Sequence, residues 1–168
     1  MKNEYISYKN RGMLLENILN RTISYYVSNK IAFFTKNNLN ISFQSASKNK
    51  SNKIIQLNSS FIKSKSTVDY YGIYKGQYVT FEAKSTDEKF LPIANIKPHQ
   101  HNHLKFISHL GGKAFYIIFF KKYSQIFLVN VDDIDYENKK SLSLKEAKEI
   151  GKSIEIIFPG VIDFLSLI

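Results

Sequence analysis

Residues 66–85 read STVDYYGIYKGQYVTFEAKS, and no other stretch constrains the fold of this chain as tightly. Two runs of alternating aliphatic and aromatic residues surround Lys75 and Gly76, which is the pattern of a β-hairpin closed by a two-residue loop. Such a loop places Asp69 opposite Glu82 on the paired strands. The sequence therefore predicts a central hairpin with two carboxylates that face each other.

The charged residues of this hairpin are predicted to share one patch. Side chains alternate along a strand, so Thr67 and Asp69 point to one face of the first strand, and Glu82 and Lys84 share a face of the second. A bulge at Gly72 would shift the register by one residue, so the pairing is a hypothesis at this point. The opposite face takes the apolar residues Val79, Phe81 and Ala83.

Two facing carboxylates, with Cβ atoms about 5 Å apart, repel each other unless a positive charge compensates them. A shared divalent cation does so well, because Mg²⁺ prefers hard oxygen ligands. The alternative to a metal site is that Lys84 neutralises the two carboxylates without a metal ion. With a cation, Asp69 and Glu82 would hold it against a phosphate oxygen while Lys84 orients or helps to deprotonate the attacking water. The context of the cluster favours a site for phosphodiester hydrolysis.

Gln100 is a further candidate for this site. It lies on a predicted helix that begins at Pro98, where it shares a stripe with the apolar residues Leu104 and Ile107. A glutamine on the buried side of a helix needs a polar partner. The acidic cluster is one such partner, with Gln100 as an outer metal ligand, and the neighbouring backbone is the other.

The same helix carries His99, His101 and His103. The spacing between His99 and His103 suits a metal ion, but the chain has no Cys and this helix has no carboxylate to complete a zinc site. We therefore expect the three histidines to face solvent or DNA.

The composition fits one globular domain in a reducing compartment. The chain has 168 residues, of which 43% are hydrophobic, and it contains no Cys. The first ten residues lack the apolar segment of a secretion signal, and the longest apolar run, at 114–120, is too short to cross a bilayer. A cytoplasmic location is expected.

The positive charge is concentrated in one part of the chain. The formal net charge is +10, and residues 1–68 hold eleven Lys or Arg against two acids. No acid occurs between Glu16 and Asp69. A positive field attracts a polyanion, and nucleic acid is the commonest polyanion. An anionic membrane surface is the alternative, but no predicted helix has the dense basic face that binding to a membrane surface requires.

The order of predicted elements indicates a mixed α/β domain with a central sheet. Residues 10–29 have the periodicity of a helix with one buried stripe. Residues 35–66, rich in Asn, Ser and Lys, are predicted to form a projecting arm or hairpin. The other predicted elements are a strand at 31–34, a loop at 86–97, a helix from 98 to the glycines at 111–112, a buried hairpin over 113–131, a helix from a capping box at 143–146 to 151, and a last apolar strand and turn.

Four segments, in this order, resemble the RecU family of Holliday-junction resolvases: NRGMLLENILNRTISYY, STVDYYGIYKGQYVTFEAKS, LPIANIKPHQ and KSLSLKEAKEIGKSIEIIFPGVIDFL. The resemblance implies a restriction-endonuclease-like fold of the PD-(D/E)xK nuclease superfamily, in one domain over 1–168 with a basic stalk at about 35–66. It also implies a homodimer that resolves four-way DNA junctions by Mg²⁺-dependent, paired symmetric nicks in recombination and repair, with 5′-phosphate products and Mn²⁺ as a substitute ion. Recombinase and branch-migration proteins are the protein partners that fit this role.

The resemblance also assigns roles to individual residues. Thr67, Asp69, Glu82 and Gln100 match the metal-binding set of the family, and Lys84 matches its catalytic lysine, with Asp69 and Glu82 also catalytic. The residues expected to contact DNA are Arg11, Lys36, Lys48, Lys50, Lys53, Lys63 and Lys65.

The chain departs from the family pattern in its stalk. The stalk of the family usually carries prolines and arginines, whereas residues 35–66 have neither and offer lysines, which cannot form bidentate phosphate contacts. Near the end, Gly160 follows Pro159 where the family tends to have Arg. Two alternatives to the resolvase remain: a non-catalytic DNA-binding or bridging protein, and a nuclease of this fold that cuts linear duplex.

Overall fold

The computed structural model describes residues 13–37, 40–42, 45–48, 55–58, 61–64, 67–158 and 160–168, with the backbone alone for the strand residues between 40 and 64. The α-helices are α1 (Met13–Ser28), α2 (Pro98–His109) and α3 (Leu144–Ile150). The strands before the central hairpin are β1 (Phe33–Lys36), β2 (Asn40–Ser42), β3 (Ser45–Lys48), β4 (Ile55–Asn58) and β5 (Phe61–Ser64). The later strands are β6 (Tyr70–Tyr74), β7 (Gln77–Thr86), β8 (Phe90–Pro92), β9 (Lys113–Phe120), β10 (Gln125–Asn130), β11 (Ser141–Ser143), β12 (Lys152–Ile154), β13 (Ile156–Ile157) and β14 (Val161–Ile162).

Six strands form the central sheet in the order β1-β6-β7-β9-β10-β12. The neighbouring strands are antiparallel except β7 and β9, which run parallel and are joined by the connection that contains α2. A parallel pair needs such a crossover, and helix α2 supplies it. The expected mixed α/β architecture, with a central mixed sheet flanked by helices, is confirmed.

The two faces of the sheet are covered by different helices. On the α1 face, residues of α1 such as Leu15 and Leu19 pack with Tyr70 and Phe81 of the hairpin. On the α2 face, Leu104 of α2 lies in a second buried cluster with residues of β9 and β10, and Ala147 of α3 joins it. Strand β7 lies between β6 and β9, and the side chain of Glu82 in its middle is buried.

The hairpin has the predicted register. Tyr74 pairs with Gln77 and Tyr70 with Phe81, without a shift between them. The loop residue Lys75 has φ 48° and Gly76 has φ 77°, the left-handed conformations that a two-residue turn of type I′ requires.

Gly72 does not form a bulge, and a different constraint explains it. It pairs with Phe34 of β1, and a Cβ at Gly72 would lie 2.0 Å from the carbonyl oxygen of Phe33. Only glycine allows β1 to approach the hairpin this closely.

The described parts of the predicted arm form two short antiparallel ladders. Strand β2 pairs with β5, and β3 pairs with β4. This pairing agrees with a long hairpin, whereas the role of the arm as a stalk that contacts DNA stays a prediction.

The predicted loop at 86–97 contains strand β8, which pairs with β11 some fifty residues later in the chain. Within the described ranges, no helix has the length and hydrophobicity to cross a membrane.

Candidate active site

Glu82 is the buried centre of the predicted acidic cluster. It lies in β7 beside Tyr116 of the parallel neighbour β9, and only 2% of the residue is exposed. A carboxylate that is buried so completely requires hydrogen-bond partners. The structure supplies three: the backbone N–H of Asp69 and the side chains of Lys84 and Gln100. The cluster is therefore not a solvated strand edge.

Asp69 and Glu82 are joined by reciprocal hydrogen bonds. The backbone N–H of Asp69 donates to Oε2 of Glu82 over 2.9 Å, and the backbone N–H of Ala83 donates to Oδ2 of Asp69 over 3.1 Å. The β6–β7 ladder begins one residue later, at Tyr70, so Asp69 bends at the end of the strand and its carboxylate meets the backbone of β7. The two carboxyl groups thus lie at the same end of the hairpin, as predicted.

Lys84 and Gln100 complete the contacts of Glu82. Lys84 Nζ lies 2.7 Å from Oε1 of Glu82, and the lysine side chain is 14% exposed. Gln100 Nε2 donates to the same carboxylate oxygen over 2.6 Å, while its Oε1 accepts from Lys84 over 3.0 Å. The three side chains therefore form a closed ring of polar contacts between β7 and α2. Oε1 of Gln100 also accepts from the backbone N–H of Lys97 over 3.3 Å, so the glutamine takes both partners that the sequence left open, and its role as a metal ligand stays a prediction.

The electrostatic environment of Glu82 favours its neutral form. Burial is the main cause and repulsion from Asp69 the second, and together they raise the pKa of Glu82 from 4.5 to about 7. The ion pair with Lys84 opposes this shift without cancelling it. The ion pair with Lys84 therefore does not offset the cost of burying the charged form of Glu82.

A small cavity of about 160 Å³ opens beside Asp69 on the α1 side. Glu16 of α1 and Lys36 of β1 line it, and Lys36 Nζ lies 2.5 Å from Oε1 of Glu16. The sequence alone places Lys36 in the DNA-contacting arm and assigns no role to Glu16. In the sequence, Glu16 is marked by its place in the NRGMLLE motif. Its proximity to Asp69 could not be predicted, because it depends on how α1 packs on the sheet.

Thr67, the fourth member of the predicted metal-binding set, lies beside Asn37. It is exposed, and its Oγ1 accepts from Nδ2 of Asn37 over 3.4 Å. It lies two residues before Asp69, and its role as a metal ligand stays a prediction.

A sequence profile of the RecU family, described as Recombination protein U, matches residues 10–168. The protein named Holliday junction resolvase RecU from Mycoplasmopsis pulmonis is 37% identical over 157 residues, covering 94% of this chain and 92% of the relative. The chain belongs to the RecU family. Proteins of the same name from Ureaplasma parvum and Bacillus subtilis are 40% and 34% identical, over 95% and 96% of this chain and 92% and 81% of theirs.

A solved structure of Hjc, a Holliday junction resolvase from Archaeoglobus fulgidus, has the same fold as this RecU chain. It matches with a TM-score of 0.51 at 9% sequence identity, covering 82% of this chain and 94% of that one. The expected restriction-endonuclease-like fold is confirmed.

Of the seven residues predicted to contact DNA, only Lys36 has a side chain that the structure describes. Lys36 lies beside the acidic cluster, and Lys48 and Lys63 lie in β3 and β5, where only the backbone is described. The remaining four lie outside the described residues: Arg11, Lys50, Lys53 and Lys65. DNA binding by these seven residues stays a prediction.

The expectation that the three histidines of α2 face solvent or DNA is wrong for His101. The residue is 7% exposed, and its ring stacks on Tyr136 with centroids 4.1 Å apart. His101 Nδ1 also lies 3.0 Å from the hydroxyl of Tyr116, the neighbour of Glu82 on the sheet. Burial lowers the pKa of His101, which favours the neutral ring. Among the residues that the structure describes, no group of three His, Cys, Asp or Glu side chains has metal-site geometry.

Proposed function

We propose that this RecU chain is a metal-dependent endonuclease that resolves four-way DNA junctions. The observation that carries the proposal is the buried Glu82, which contacts Lys84 and Gln100 and is linked to Asp69 through the backbone. This cluster lies at one end of a hairpin in a chain with net charge +10, so a polyanionic substrate is attracted to the protein that carries it.

The donor set fits a hard divalent cation. Asp69 and Glu82 supply carboxylate oxygens, and Gln100 and Thr67 supply an amide and a hydroxyl oxygen as outer ligands, the oxygen donors that Mg²⁺ selects. Mn²⁺ has a similar preference and would substitute. When bound, the ion supplies positive charge to a non-bridging phosphate oxygen. The raised pKa of Glu82 supports this assignment, because a cation would relieve the repulsion between the two carboxylates.

Lys84 acts on the water and on the charge that develops at phosphorus. Its Nζ is held between Glu82 and Gln100, so its direction is fixed before the substrate arrives. The attacking water gives one proton to solvent as its oxygen forms a bond to phosphorus, and the 3′ oxygen takes one proton from solvent as its bond to phosphorus breaks. The products are a 5′-phosphate and a 3′-hydroxyl. Lys84 orients the water and stabilises the pentacovalent arrangement by its positive charge.

Junction resolution requires two cuts, and each chain offers one Asp69–Glu82–Lys84 cluster within its described part. The active form is therefore a homodimer with two-fold symmetry, which nicks two strands of like polarity. Residues 35–66 form the stalk that contacts the junction, and recombinase or branch-migration proteins deliver it. The absence of Cys fits a reducing compartment, so we place the reaction in the cytoplasm.

The test is cleavage of a synthetic mobile four-way junction, compared with a linear duplex of the same sequence, in Mg²⁺ and in EDTA. Paired nicks in the junction, in Mg²⁺ alone, are expected. Equal cutting of the linear duplex would support a general nuclease of this fold. Tight junction binding with no cutting of either substrate would contradict catalysis and favour a DNA-bridging protein.

A further inference from the structure

The chain leaves the central sheet for the arm at one residue and comes back to it at another, and these two residues touch. Strand β1 ends at Lys36, and Asn37 is the next residue toward the arm. On the return side, Thr67 is the first residue after the arm, two residues before Asp69. Nδ2 of Asn37 donates to Oγ1 of Thr67 over 3.4 Å. The base of the arm, by which we mean Asn37 and Thr67, is therefore closed by a contact between two side chains.

Asn37 also holds the backbone of Asp69. Its N–H donates to the carbonyl oxygen of Asp69 over 2.8 Å, one residue beyond the register pairs of β1 and β6. The N–H and the carboxylate of Asp69 are engaged with β7, where they meet Glu82 and Ala83. Asp69 is thus fixed to β7 on one side and to Asn37 on the other. A single residue of the arm contacts both Thr67 and Asp69, two of the four proposed metal ligands.

The two hydrogen bonds of Asn37 make different demands on the type of residue at this position. The backbone bond to Asp69 extends the β1–β6 ladder by one step and is open to every residue except proline. The bond to Thr67 needs a side chain that donates, and the asparagine amide has two donor hydrogens. Lys36, the preceding residue, directs its charge to Glu16 instead. The side chain of Asn37 therefore bears on Thr67.

The amide of Asn37 restricts how the hydroxyl group of Thr67 is used. A hydroxyl oxygen has two lone pairs and one hydrogen. The amide of Asn37 takes one lone pair, which leaves the other for a cation or a water and leaves the hydrogen for an acceptor. Thr67 is exposed, so without this contact its side chain would exchange among staggered rotamers. A ligand that is oriented beforehand loses less conformational entropy when it binds.

We infer that Asn37 is a positioning residue of the proposed metal site, where it orients the hydroxyl of Thr67 toward a divalent cation. Because Asn37 also begins the arm, the base of the arm and the metal site form one structural unit. This inference rests on the proposed function, in which Thr67 and Asp69 are metal ligands.

A role in stability alone would have a different consequence. The hydrogen bond between Asn37 and Thr67 is long and lies at the surface, and such bonds contribute little to the free energy of unfolding. Without Mg²⁺, Asn37→Ala should therefore melt at the wild-type temperature. A change in Mg²⁺ affinity without a change in melting separates positioning from stability.

Calorimetric titration of the intact protein with Mg²⁺ tests the inference. Asn37→Ala removes the side-chain donor and keeps the backbone bond to Asp69. We expect its Mg²⁺ affinity to fall about 10-fold, the lower end of the effect of losing a residue that supports a metal ligand. Asn29→Ala is the matched control, because Asn29 follows the other end of α1 and donates one side-chain hydrogen bond, to the carbonyl oxygen of Tyr25. This control should bind Mg²⁺ as the wild type does.

A double-mutant cycle with Thr67→Ala determines whether Asn37 acts through Thr67. In the Thr67→Ala background, Asn37→Ala should not lower the Mg²⁺ affinity further, because the oxygen that it orients is gone. The same variant should regain junction cleavage at high Mg²⁺ concentration, whereas Glu82→Gln should not.

The outcomes separate the inference from the proposed function. Additive effects in the cycle would overturn the inference. An Mg²⁺ affinity that Glu82→Gln lowers and Asn37→Ala leaves unchanged would overturn it too, and would keep the metal site. No Mg²⁺ binding by the wild type would contradict both. A wild type that binds Mg²⁺ and gives the expected cycle, but cuts no junction, would support the role of Asn37 and contradict the nuclease.

Discussion

Nε2 of Gln100 lies 2.6 Å from Oε1 of Glu82, and this contact joins helix α2 to strand β7 at the centre of the acidic cluster. The amide also accepts from Lys84, so one side chain restrains both the carboxylate and the lysine. The position of α2 on the sheet is thereby linked to the geometry of the proposed catalytic groups.

Gln100→Ala removes this restraint from Glu82 and Lys84. We expect junction cleavage to fall by about 10–100-fold, the usual effect of losing a supporting polar residue around a metal site, with little change in junction affinity. Single-turnover cleavage and binding assays measure the two quantities separately. Gln77→Ala, at the exposed start of β7, is the control and should behave as wild type. Equal activity of the two variants would contradict a role for Gln100.

The raised pKa of Glu82 predicts opposite pH effects on stability and on metal binding. Between the unfolded value of 4.5 and about 7, the folded metal-free protein binds more protons than the unfolded chain. Its free energy of unfolding should therefore decrease as pH rises through that window, whereas Glu82→Gln lacks this contribution. Mg²⁺ competes with the proton, so Mg²⁺ affinity should increase up to about pH 7.

Thermal melting of both proteins, with and without Mg²⁺, and calorimetric titration between pH 5 and 8 measure these effects. A Mg²⁺ affinity that does not change over this range would rule out protonation of Glu82 as the competing event.

The contact between Tyr116 and His101 anchors α2 next to the active site. Tyr116→Phe leaves the buried Nδ1 of His101 without its 3.0 Å partner, and we expect a loss of about 1–3 kcal/mol in the free energy of unfolding. Replacing both residues by Phe removes both polar groups, so the double variant should be more stable than Tyr116→Phe. Urea unfolding of the four proteins in the cycle tests this. Additive effects of the two substitutions would contradict the coupling.

The stalk lysines are predicted from sequence to neutralise phosphates. Replacing Lys48, Lys50 and Lys53 with Ala should weaken junction binding and reduce its salt dependence. The slope of the logarithm of the binding constant against the logarithm of the salt concentration should become smaller by about 0.9 for each phosphate that is no longer neutralised. Binding titrations at several salt concentrations measure the slope. A control with the same change in net charge replaces the exposed lysines Lys122, Lys140 and Lys145. An unchanged slope in the stalk variant would show that these residues do not bind the junction.

Local pattern was sufficient to predict the hairpin and the shared position of Asp69, Glu82 and Lys84. The two-residue loop at Lys75 and Gly76 sets the register. The helical stripe that begins at Pro98 puts Gln100 on the buried side of α2, but this stripe alone left its partner open between the acidic cluster and the backbone. Both signals act over short stretches of chain, where periodicity and turn geometry determine which side chains meet.

The features that could not be predicted from sequence depend on contacts between distant segments. His101 is buried because Tyr116 and Tyr136 arrive from later elements, and nothing in the helix itself indicates this. Glu16 and Lys36 approach Asp69 only because α1 packs beside the edge strand β1. Periodicity gives the face on which a residue lies but not which distant element covers that face.

Glu82 is proposed to be needed for the chemistry and not for binding the junction. The direct measurement compares wild type with Glu82→Gln, which keeps the size of the buried side chain, for binding and cleavage of the same mobile four-way junction in Mg²⁺. We predict that the variant binds the junction with wild-type affinity and leaves it uncut. Cleavage by Glu82→Gln at the wild-type rate would show that this carboxylate is not part of the catalytic machinery.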